Sequence, residues 1–301
     1  MRVAYLGLGA MGRPMAANIA ARWPTILWNR TTAVAVELAA AHGGTAATSL
    51  EEVAAAEVVC SCLPTDVEVA AVAEVLAPAL RPGTVWVDHT SGDPAGSRDV
   101  ARLLEGHGVG YLDAPVSGGT DGAAAATLTV MVGGDVEDLE QVRPVLETVA
   151  SRIVHVGPVG TGMAVKAVNN ALLAASLWAA AEGLVALTAA GVDPAAALEV
   201  IGSSSGRSFA TQRLLPERVL TRAFPRTFAL PLLAKDVRLA AGVLEDGGID
   251  GPVLRLVEQL TAAAAADLGD ADHVELVRLV ERAAGVEISP PTDAVLPDDE
   301  R

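Results

Sequence analysis

The sequence predicts an α/β protein in which a doubly wound, mostly parallel sheet is followed by an all-helical domain, the two joined by a long helix. Two observations predict this fold class. Short apolar runs alternate with helical segments over the first half of the chain, as they do in βα units. Helical segments then follow one another, and the first, from Gly162 to about Ala190, lacks proline and is apolar on nearly every face.

The apolar runs and the residues that interrupt them place the individual elements. Predicted strands are Arg2–Leu6, Thr25–Asn29, Val58–Leu63, Val85–His89, Gly110–Ala114, Leu128–Val132 and Ile153–Val156. Helices between them are predicted at Arg13–Ala21, Thr32–His42, Asp66–Leu76, Pro94–His107 and Val136–Val149. The later helices are predicted at Pro194–Ser203, Phe209–Leu215, Leu230–Gly247, Pro252–Asp267 and Asp272–Ala284. We expect domains at residues 1–160 and 161–289, and a disordered, acidic, proline-rich tail at 290–301.

Composition narrows the classes of function. A formal net charge of −16 argues against non-specific binding of nucleic acid, which needs a basic surface. A mean hydropathy of +0.40 favours a homodimer or homotetramer with a buried apolar face. The long helix carries Lys166 and other polar residues, so we predict no membrane span. The chain runs from Met1 straight into a strand, which indicates a cytoplasmic protein without a signal peptide.

No metal site is predicted. Cys60 and Cys62 share one face of a strand, and neither has a histidine at the spacing that metal ligands use. The histidines are scattered along the chain, and we interpret them as structural or exposed.

The segment Gly7-Leu8-Gly9-Ala10-Met11-Gly12 follows the first strand and precedes the first helix. Strand, G-x-G-x-x-G and helix form the dinucleotide-binding fingerprint in its required order. Gly7 permits the tight turn, Gly9 lets a pyrophosphate approach the backbone, and Gly12 lets the helix pack closely on the strand. The free N–H groups of the helix would bind the phosphates. The sequence therefore predicts a Rossmann domain.

The segment Asn29-Arg30-Thr31 ends the second strand, about 20 residues beyond the glycines, where NAD-binding proteins usually carry an acidic residue. No carboxylate here would repel a 2′-phosphate, and the Arg30 guanidinium could bind one. We therefore expect NADP to be preferred over NAD. A solvated arginine at the end of a strand is the alternative interpretation.

Lysine usage draws attention to Lys166. Of 21 basic residues only Lys166 and Lys235 are lysines. Arginine does not lose its proton in proteins, whereas a desolvated lysine can. Lys166 lies in the long apolar helix, with Asn169 and Asn170 three and four residues on, and is therefore our candidate proton donor and acceptor. A lysine that extends from the helix to solvent is the alternative.

A loop rich in backbone donors is predicted after the Gly110–Ala114 strand. Ser117-Gly118-Gly119 offers a hydroxyl and successive N–H groups without large side chains, which suits a carboxylate. An ordinary turn of serine and glycine is an equally good interpretation of these residues.

Four motifs in order resemble the β-hydroxyacid dehydrogenase family, which includes 3-hydroxyisobutyrate dehydrogenase, tartronate semialdehyde reductase and glyoxylate/succinic semialdehyde reductases. The motifs are Gly7–Asn18, Asp113–Gly119, Gly160–Asn170 and Lys235-Asp236, and the resemblance extends to about Ile288. The chain departs from the family at Ala126, where glycine is usual, and at Thr90-Ser91, which is the family's Ser-Thr reversed.

The resemblance implies an oxidoreductase that transfers hydride between NADP(H) and a small 3-hydroxy acid or its semialdehyde. It implies that Lys166 is the catalytic lysine and that a small carboxylate-bearing substrate contacts Ser117, Gly118, Gly119 and Asn170. It also implies that Ser91 and Lys235 lie on the cofactor side, beside Leu63 and Pro64, and that Asn29-Arg30-Thr31 is similar to NADP-preferring members.

Two other functions are weighed against this one. Imine reductases resemble the chain through the glycine motif and the Trp28–Thr31 segment, but they usually lack the lysine and the Ser-Gly-Gly segment. A non-catalytic NADP-binding adaptor would have lost the proton donor that Lys166 supplies here.

Overall fold

The computed structural model describes residues 1–289 and confirms a Rossmann-like sheet domain followed by helices. The chain forms two compact units, Met1–Ala167 and a second unit that begins at Val168. This division falls inside the long helix, seven residues beyond the expected boundary at residue 160. The predicted tail, residues 290–301, lies outside the described residues.

A nine-stranded sheet is the framework of the first unit. Its strands are β1 Val3–Leu6, β2 Thr25–Trp28, β3 Thr45–Ala46, β4 Val58–Ser61, β5 Val85–Asp88, β6 Gly110–Asp113, β7 Val116–Ser117, β8 Leu128–Gly133 and β9 Ala150–Gly157. The first six are parallel, in the order β3-β2-β1-β4-β5-β6. β8 runs antiparallel to β6 and β7 and parallel to β9. The strand order reverses between β1 and β4, where Rossmann sheets bind ligands.

Apolar layers cover both faces of this sheet. Every residue of β1, β4 and β5 is buried, which explains their continuous apolar runs. Tyr5 packs into one layer, while Leu6 and Trp86 pack into the other. The flanking helices are α1 Gly12–Ala20, α2 Thr32–His42, α3 Asp66–Leu76, α4 Pro94–Glu105, α5 Gly119–Ala124 and α6 Val136–Leu146.

The regular elements of the second unit are helices in its described residues, with one isolated β-bridge between Ala229 and Asp272. Its helices are α7 Thr161–Ala189, which begins in the first unit, α8 Pro194–Ser203, α9 Leu230–Asp246, α10 Pro252–Leu268 and α11 Val277–Ala284. By length and composition alone, α7 could cross a membrane. Apolar core helices of other proteins have the same length and composition. Its Lys166 and Asn170 still favour the prediction of no span.

Two predicted helices of this unit were wrong in detail. The Phe209–Leu215 segment is instead a π-helix over Ala210–Val219 that includes Pro216. The Asp272–Ala284 segment begins with a 3-10 turn at His273–Leu276, which the Asp272 side chain caps.

Burial raises the pKa of Asp272, but hydrogen bonds from His273, Phe228 and Thr227 outweigh it and hold that pKa below its ordinary value.

Exposed apolar side chains remain on the second unit. Leu172 of α7 is 57% exposed, and on α10 Val253 is 68% and Leu256 is 55% exposed. Such surface suits the expected contact with a second copy of the chain, which stays a prediction.

The segment after β6 differs from the expected loop. It contains the two-residue strand β7 and then the short helix α5, and two residues beyond that helix Ala126 has a backbone φ of +57°. Left-handed backbone costs a residue with a Cβ about 1 kcal/mol, so this alanine occupies a position suited to glycine.

We expect Ala126→Gly to stabilise the protein. Relief of the strained φ should exceed the added entropy of the unfolded chain and raise the free energy of unfolding by about 0.5–1 kcal/mol. The matched control is Ala125→Gly, because Ala125 is exposed and has an ordinary φ of −80°. Thermal unfolding should rank Ala126→Gly above the wild type and Ala125→Gly below it; the reverse order would refute the strain.

Candidate functional site

The glycine motif forms the tight loop between β1 and α1. Gly7 has a φ of +89°, and a Cβ there would lie 2.3 Å from the carbonyl oxygen of Cys62. A Cβ on Gly12 would lie 2.0 Å from the carbonyl oxygen of Gly7. A Cβ on Gly9 would meet no atom within 4 Å. The loop is therefore closed towards the protein and open at Gly9, which fits the approach of a pyrophosphate to the start of α1.

Asn29 connects this loop to the end of β2. Its Oδ1 accepts the Leu8 backbone N–H at 3.1 Å, and its Nδ2 donates to the Thr31 carbonyl oxygen at 3.2 Å. Arg30 and Thr31 are exposed beside it, and Thr31 directly precedes α2. The exposed Arg30 side chain is therefore accessible to an anion at this edge. The amide of Asn29, in contrast, already connects the glycine loop to the loop after β2.

The loops after β4 and β5 are also bonded to each other. The Leu63 backbone N–H donates to Thr90 Oγ1 at 3.0 Å, next to Pro64 and the partly buried Ser91. Since β1, β4 and β5 are parallel neighbours, these loops and the glycine loop lie along one edge of the sheet. The structure thereby brings the predicted cofactor residues of the first unit together.

Asp88, at the end of β5, joins neighbouring strands of this edge by hydrogen bonds, a role that was not predicted. It is buried, and its oxygens accept hydrogen bonds from Ser61 Oγ at 2.7 Å and from the Tyr111 hydroxyl at 3.1 Å. Burial raises the pKa of Asp88, although these bonds counteract it. The signal in the sequence is a carboxylate that ends an otherwise apolar strand.

Ser117-Gly118-Gly119 lies at the junction of β7 and α5. Ser117 ends β7, Gly118 has a φ of +138°, and Gly119, with a φ of +66°, begins α5. Both glycines are exposed, so their backbone groups are open to a ligand. Asn18 of α1 donates to the Ala123 carbonyl oxygen at 2.8 Å and so connects α1 to α5.

Lys166 is partly buried near the start of α7. The first turn of this helix is bonded to Asp113, the last residue of β6, whose carboxylate accepts the backbone N–H of Gly160 and of Met163. Burial raises the pKa of Asp113 to about 6 despite these two bonds. Asp113 belongs to a predicted motif, but no role was assigned to it.

In the second unit the structure brings Asn170 and Lys235 to the same carboxylate. Asn170 Nδ2 donates to Asp236 Oδ2 at 2.6 Å, and Lys235 Nζ lies 3.4 Å from Asp236 Oδ1. Asn170 Oδ1 accepts from Asn169 Nδ2 at 3.1 Å. Asp236 is buried, so its hydrogen bond orients the Asn170 amide, while Lys235 lies within ion-pair distance of the other oxygen.

Neither cysteine suits thiol chemistry. Burial raises the pKa of Cys60 and of Cys62 to about 12, so neither is a reactive thiolate at neutral pH. Across residues 1–289, no three side chains of histidine, cysteine, aspartate or glutamate are placed to hold a metal ion.

Comparison with known proteins matches nearly the whole chain. Residues 2–157 match the family described as the NAD binding domain of 6-phosphogluconate dehydrogenase. Residues 160–280 match the family described as the NAD-binding domain of NADP-dependent 3-hydroxyisobutyrate dehydrogenase.

Three known proteins illustrate the match. A 2-(hydroxymethyl)glutarate dehydrogenase of Eubacterium barkeri is 36% identical over 295 residues, which cover 96% of this chain and 98% of that protein. An NAD-dependent L-serine dehydrogenase of Pseudomonas aeruginosa is 35% identical and covers 79% of this chain and 84% of its own length. The structure of Mycobacterium tuberculosis 3-hydroxyisobutyrate dehydrogenase with L-serine has a TM-score of 0.87 and 36% identity, and covers 93% of this chain and 98% of that one.

Proposed function

Because the chain belongs to the β-hydroxyacid dehydrogenase family and is an NAD(P)-dependent hydroxyacid dehydrogenase, we propose that it interconverts a small 3-hydroxy acid and its semialdehyde with NADP(H), using Lys166 as general acid and base. The observation that carries the proposal is Lys166, an ammonium that is partly buried in a largely apolar helix. Its neighbour one turn on, Asn170, is held in place by Asp236.

The relatives favour one class of substrate. 2-(Hydroxymethyl)glutarate, 3-hydroxyisobutyrate and L-serine are the compounds named for them. All three are carboxylic acids with a primary alcohol on the carbon β to the carboxylate and a substituent on the carbon between. We therefore propose 2-substituted 3-hydroxypropanoates and their aldehydes as substrates, with the carboxylate held by Ser117, Gly118, Gly119 and Asn170.

Each group has a defined task in this reaction. Bound NADPH would supply the hydride to the aldehyde carbon. Lys166, as an ammonium, gives a proton to the carbonyl oxygen, and the resulting amine regains a proton from water. In the oxidation the neutral amine removes the proton from the alcohol. The backbone donors at Gly118 and Gly119 orient the substrate through its carboxylate, which limits the reaction to acids with few bonds between the carboxylate and the reacting carbon.

A substrate panel tests this function. Oxidation of NADPH should accompany reduction of aldehydes that carry a carboxylate, namely methylmalonate semialdehyde, tartronate semialdehyde, succinic semialdehyde and glyoxylate. We expect the highest kcat/KM with methylmalonate semialdehyde, because it alone combines a β-aldehyde with an apolar substituent on the carbon between. A cyclic imine serves as the control. Turnover of the imine without turnover of any aldehyde would refute the proposal and favour an imine reductase.

A further inference from the structure

Asp113 occupies an unusual place at the end of β6. Its side chain is fully buried, its Oδ1 accepts the Gly160 backbone N–H at 2.7 Å, and its Oδ2 accepts that of Met163 at 2.8 Å. These are the residue before α7 and the third residue within it. A carboxylate from a distant strand therefore satisfies the donors that an N-cap side chain would normally satisfy.

Glycines enclose this carboxylate closely. A Cβ on Gly133 would lie 2.4 Å from Asp113 Oδ1, and one on Gly162 would lie 2.9 Å from Asp113 Oδ2. Gly133 is also the residue of β8 that pairs with Asp113 in the sheet. The ends of β6 and β8 and the first turn of α7 are thus packed around one carboxylate, which leaves the helix start little freedom to rotate.

Asp113 also connects the two segments that carry candidate groups. Lys166 follows Met163 by three residues, so it lies one helical turn beyond the N–H that Asp113 holds. Ser117 follows Asp113 by four residues and belongs to β7, where it pairs with Thr129 of β8. One side chain therefore joins the strand that leads to Ser117 to the helix that carries Lys166.

We propose that Asp113 is a positioning residue, whose ionised carboxylate holds the first turn of α7 so that Lys166 is correctly placed for proton transfer. This inference rests on the proposed function, in which Lys166 is the proton donor. A small rotation of the first turn would displace the lysine ammonium by an ångström or more, and errors of that size lower rates by about 10- to 100-fold.

The surroundings make the charge of Asp113 sensitive to pH. Burial and, to a smaller extent, the charge of Asp88 raise its pKa to about 6. Tyr111 is the other ionisable group on β6 that interacts with it, and from α4 the Arg98 guanidinium approaches Gly160, where a Cβ would lie 2.8 Å from Nη1. Below pH 6 the carboxyl becomes protonated and one oxygen can no longer accept an N–H bond. Since the folded pKa exceeds the unfolded value, protonation does not itself unfold the protein; its effect should be on activity.

The test compares Asp113→Asn with a matched control. Asp135→Asn removes the carboxylate that caps α6, where Asp135 accepts the Glu137 backbone N–H at 2.7 Å. The measurements are kcat and KM for reduction of the best aldehyde, the Kd of NADPH by its fluorescence, the melting temperature, and kcat between about pH 5 and pH 8. Blanks without enzyme correct for decay of NADPH in acid.

We expect Asp113→Asn to lower kcat by about 10- to 100-fold, while the Kd of NADPH stays within about twofold and Asp135→Asn keeps its kcat. In the wild type, kcat should fall as the pH drops below about 6, and this acid limb should be absent from Asp113→Asn. The limb cannot come from Lys166 in this direction, because the reduction uses its ammonium form.

Several results would overturn the inference. Wild-type kcat in Asp113→Asn, an equal loss in Asp135→Asn, or an acid limb that persists in Asp113→Asn would each do so. Should Asp113→Asn fail to fold, the wild-type profile decides, and a kcat that is constant down to about pH 5 would refute the role. An inactive Lys166→Ala beside a fully active Asp113→Asn would refute this inference alone, whereas a fully active Lys166→Ala would refute the proposed function.

Discussion

Lys166→Ala is expected to lower kcat by about 10²- to 10⁴-fold, the range that general acid–base catalysis supplies. The reduction needs a proton at the carbonyl oxygen as hydride arrives, and alanine supplies none. The Kd of NADPH should change little, because Lys166 stands in α7 while the predicted phosphate contacts belong to the loop between β1 and α1. Stopped-flow measurement of a single turnover, together with NADPH fluorescence titration, would separate the chemical step from binding.

Two further variants separate charge from proton transfer at this position. Lys166→Met keeps the length of the apolar stem and removes the ammonium, so we expect a loss as large as that of Lys166→Ala. Lys166→Arg keeps a positive charge but does not release its proton, so we expect it to bind the substrate and still to lose kcat. Near-full turnover by any of the three variants would remove Lys166 from the proton-transfer step.

Elements with marked ends were predicted to the residue. The predicted bounds of α2 and α3, Thr32–His42 and Asp66–Leu76, match the structure. Gly43 follows α2 with a φ of +86°, and the Thr65 hydroxyl caps α3 by accepting the Val67 backbone N–H. Such signals are local, so they can be recognised without knowledge of the fold.

Elements that depend on distant partners could not be predicted. β7 has two residues, and it exists because Val116 and Ser117 pair with Val130 and Thr129 of β8. The sequence shows Ser117 as part of a loop, since a two-residue strand has no periodicity to detect. The antiparallel direction of β8 is likewise set by its position beside β6 and β7, not by its own residues.

The candidate site shows the same division. The glycine motif can be recognised from the sequence because its spacing between a strand and a helix is local, and within it Gly12 packs against Gly7. Asp113 and Asp236 belong to predicted motifs, but their roles could not be predicted, because their hydrogen-bond partners lie 47 and 50 residues from Asp113 and 66 residues from Asp236 along the chain. Asn29 was predicted to lie beside the cofactor. The hydrogen bonds of its amide to Leu8 and Thr31 are visible only in the folded structure.

Arg30→Ala is expected to raise the KM for NADPH by about 10- to 100-fold and to leave the KM for NADH within about twofold. The two cofactors differ by the 2′-phosphate, so an effect confined to NADPH identifies the group that Arg30 binds. Charge-assisted hydrogen bonds contribute about 1.5–3 kcal/mol each, and 1.4 kcal/mol corresponds to a tenfold change in affinity. The measurement is kcat/KM for each cofactor at a saturating concentration of the aldehyde.

The surroundings of Arg30 suit this role. It is exposed at the carboxyl end of β2, and Thr31 after it directly precedes α2, whose free N–H groups favour an anion. Glu68 of α3 interacts electrostatically with Arg30. The pKa of Glu68 is below its ordinary value, mainly because of the hydrogen bond from the Thr65 hydroxyl and to a lesser degree because of the charge of Arg30. Because the site is exposed, we expect a preference for NADPH that Arg30 provides to weaken as salt rises.

Arg30→Asp extends the test, because a carboxylate at this place repels the 2′-phosphate and can accept a hydrogen bond from the ribose hydroxyl of NADH. We expect this variant to prefer NADH. Arg22→Ala is the matched control, since Arg22 is an exposed arginine of the same unit outside the candidate site. An unchanged ratio of the two kcat/KM values in Arg30→Ala would show that another feature sets the cofactor preference. The NAD-dependent L-serine dehydrogenase, 35% identical, would then be the better guide to the cofactor of this chain.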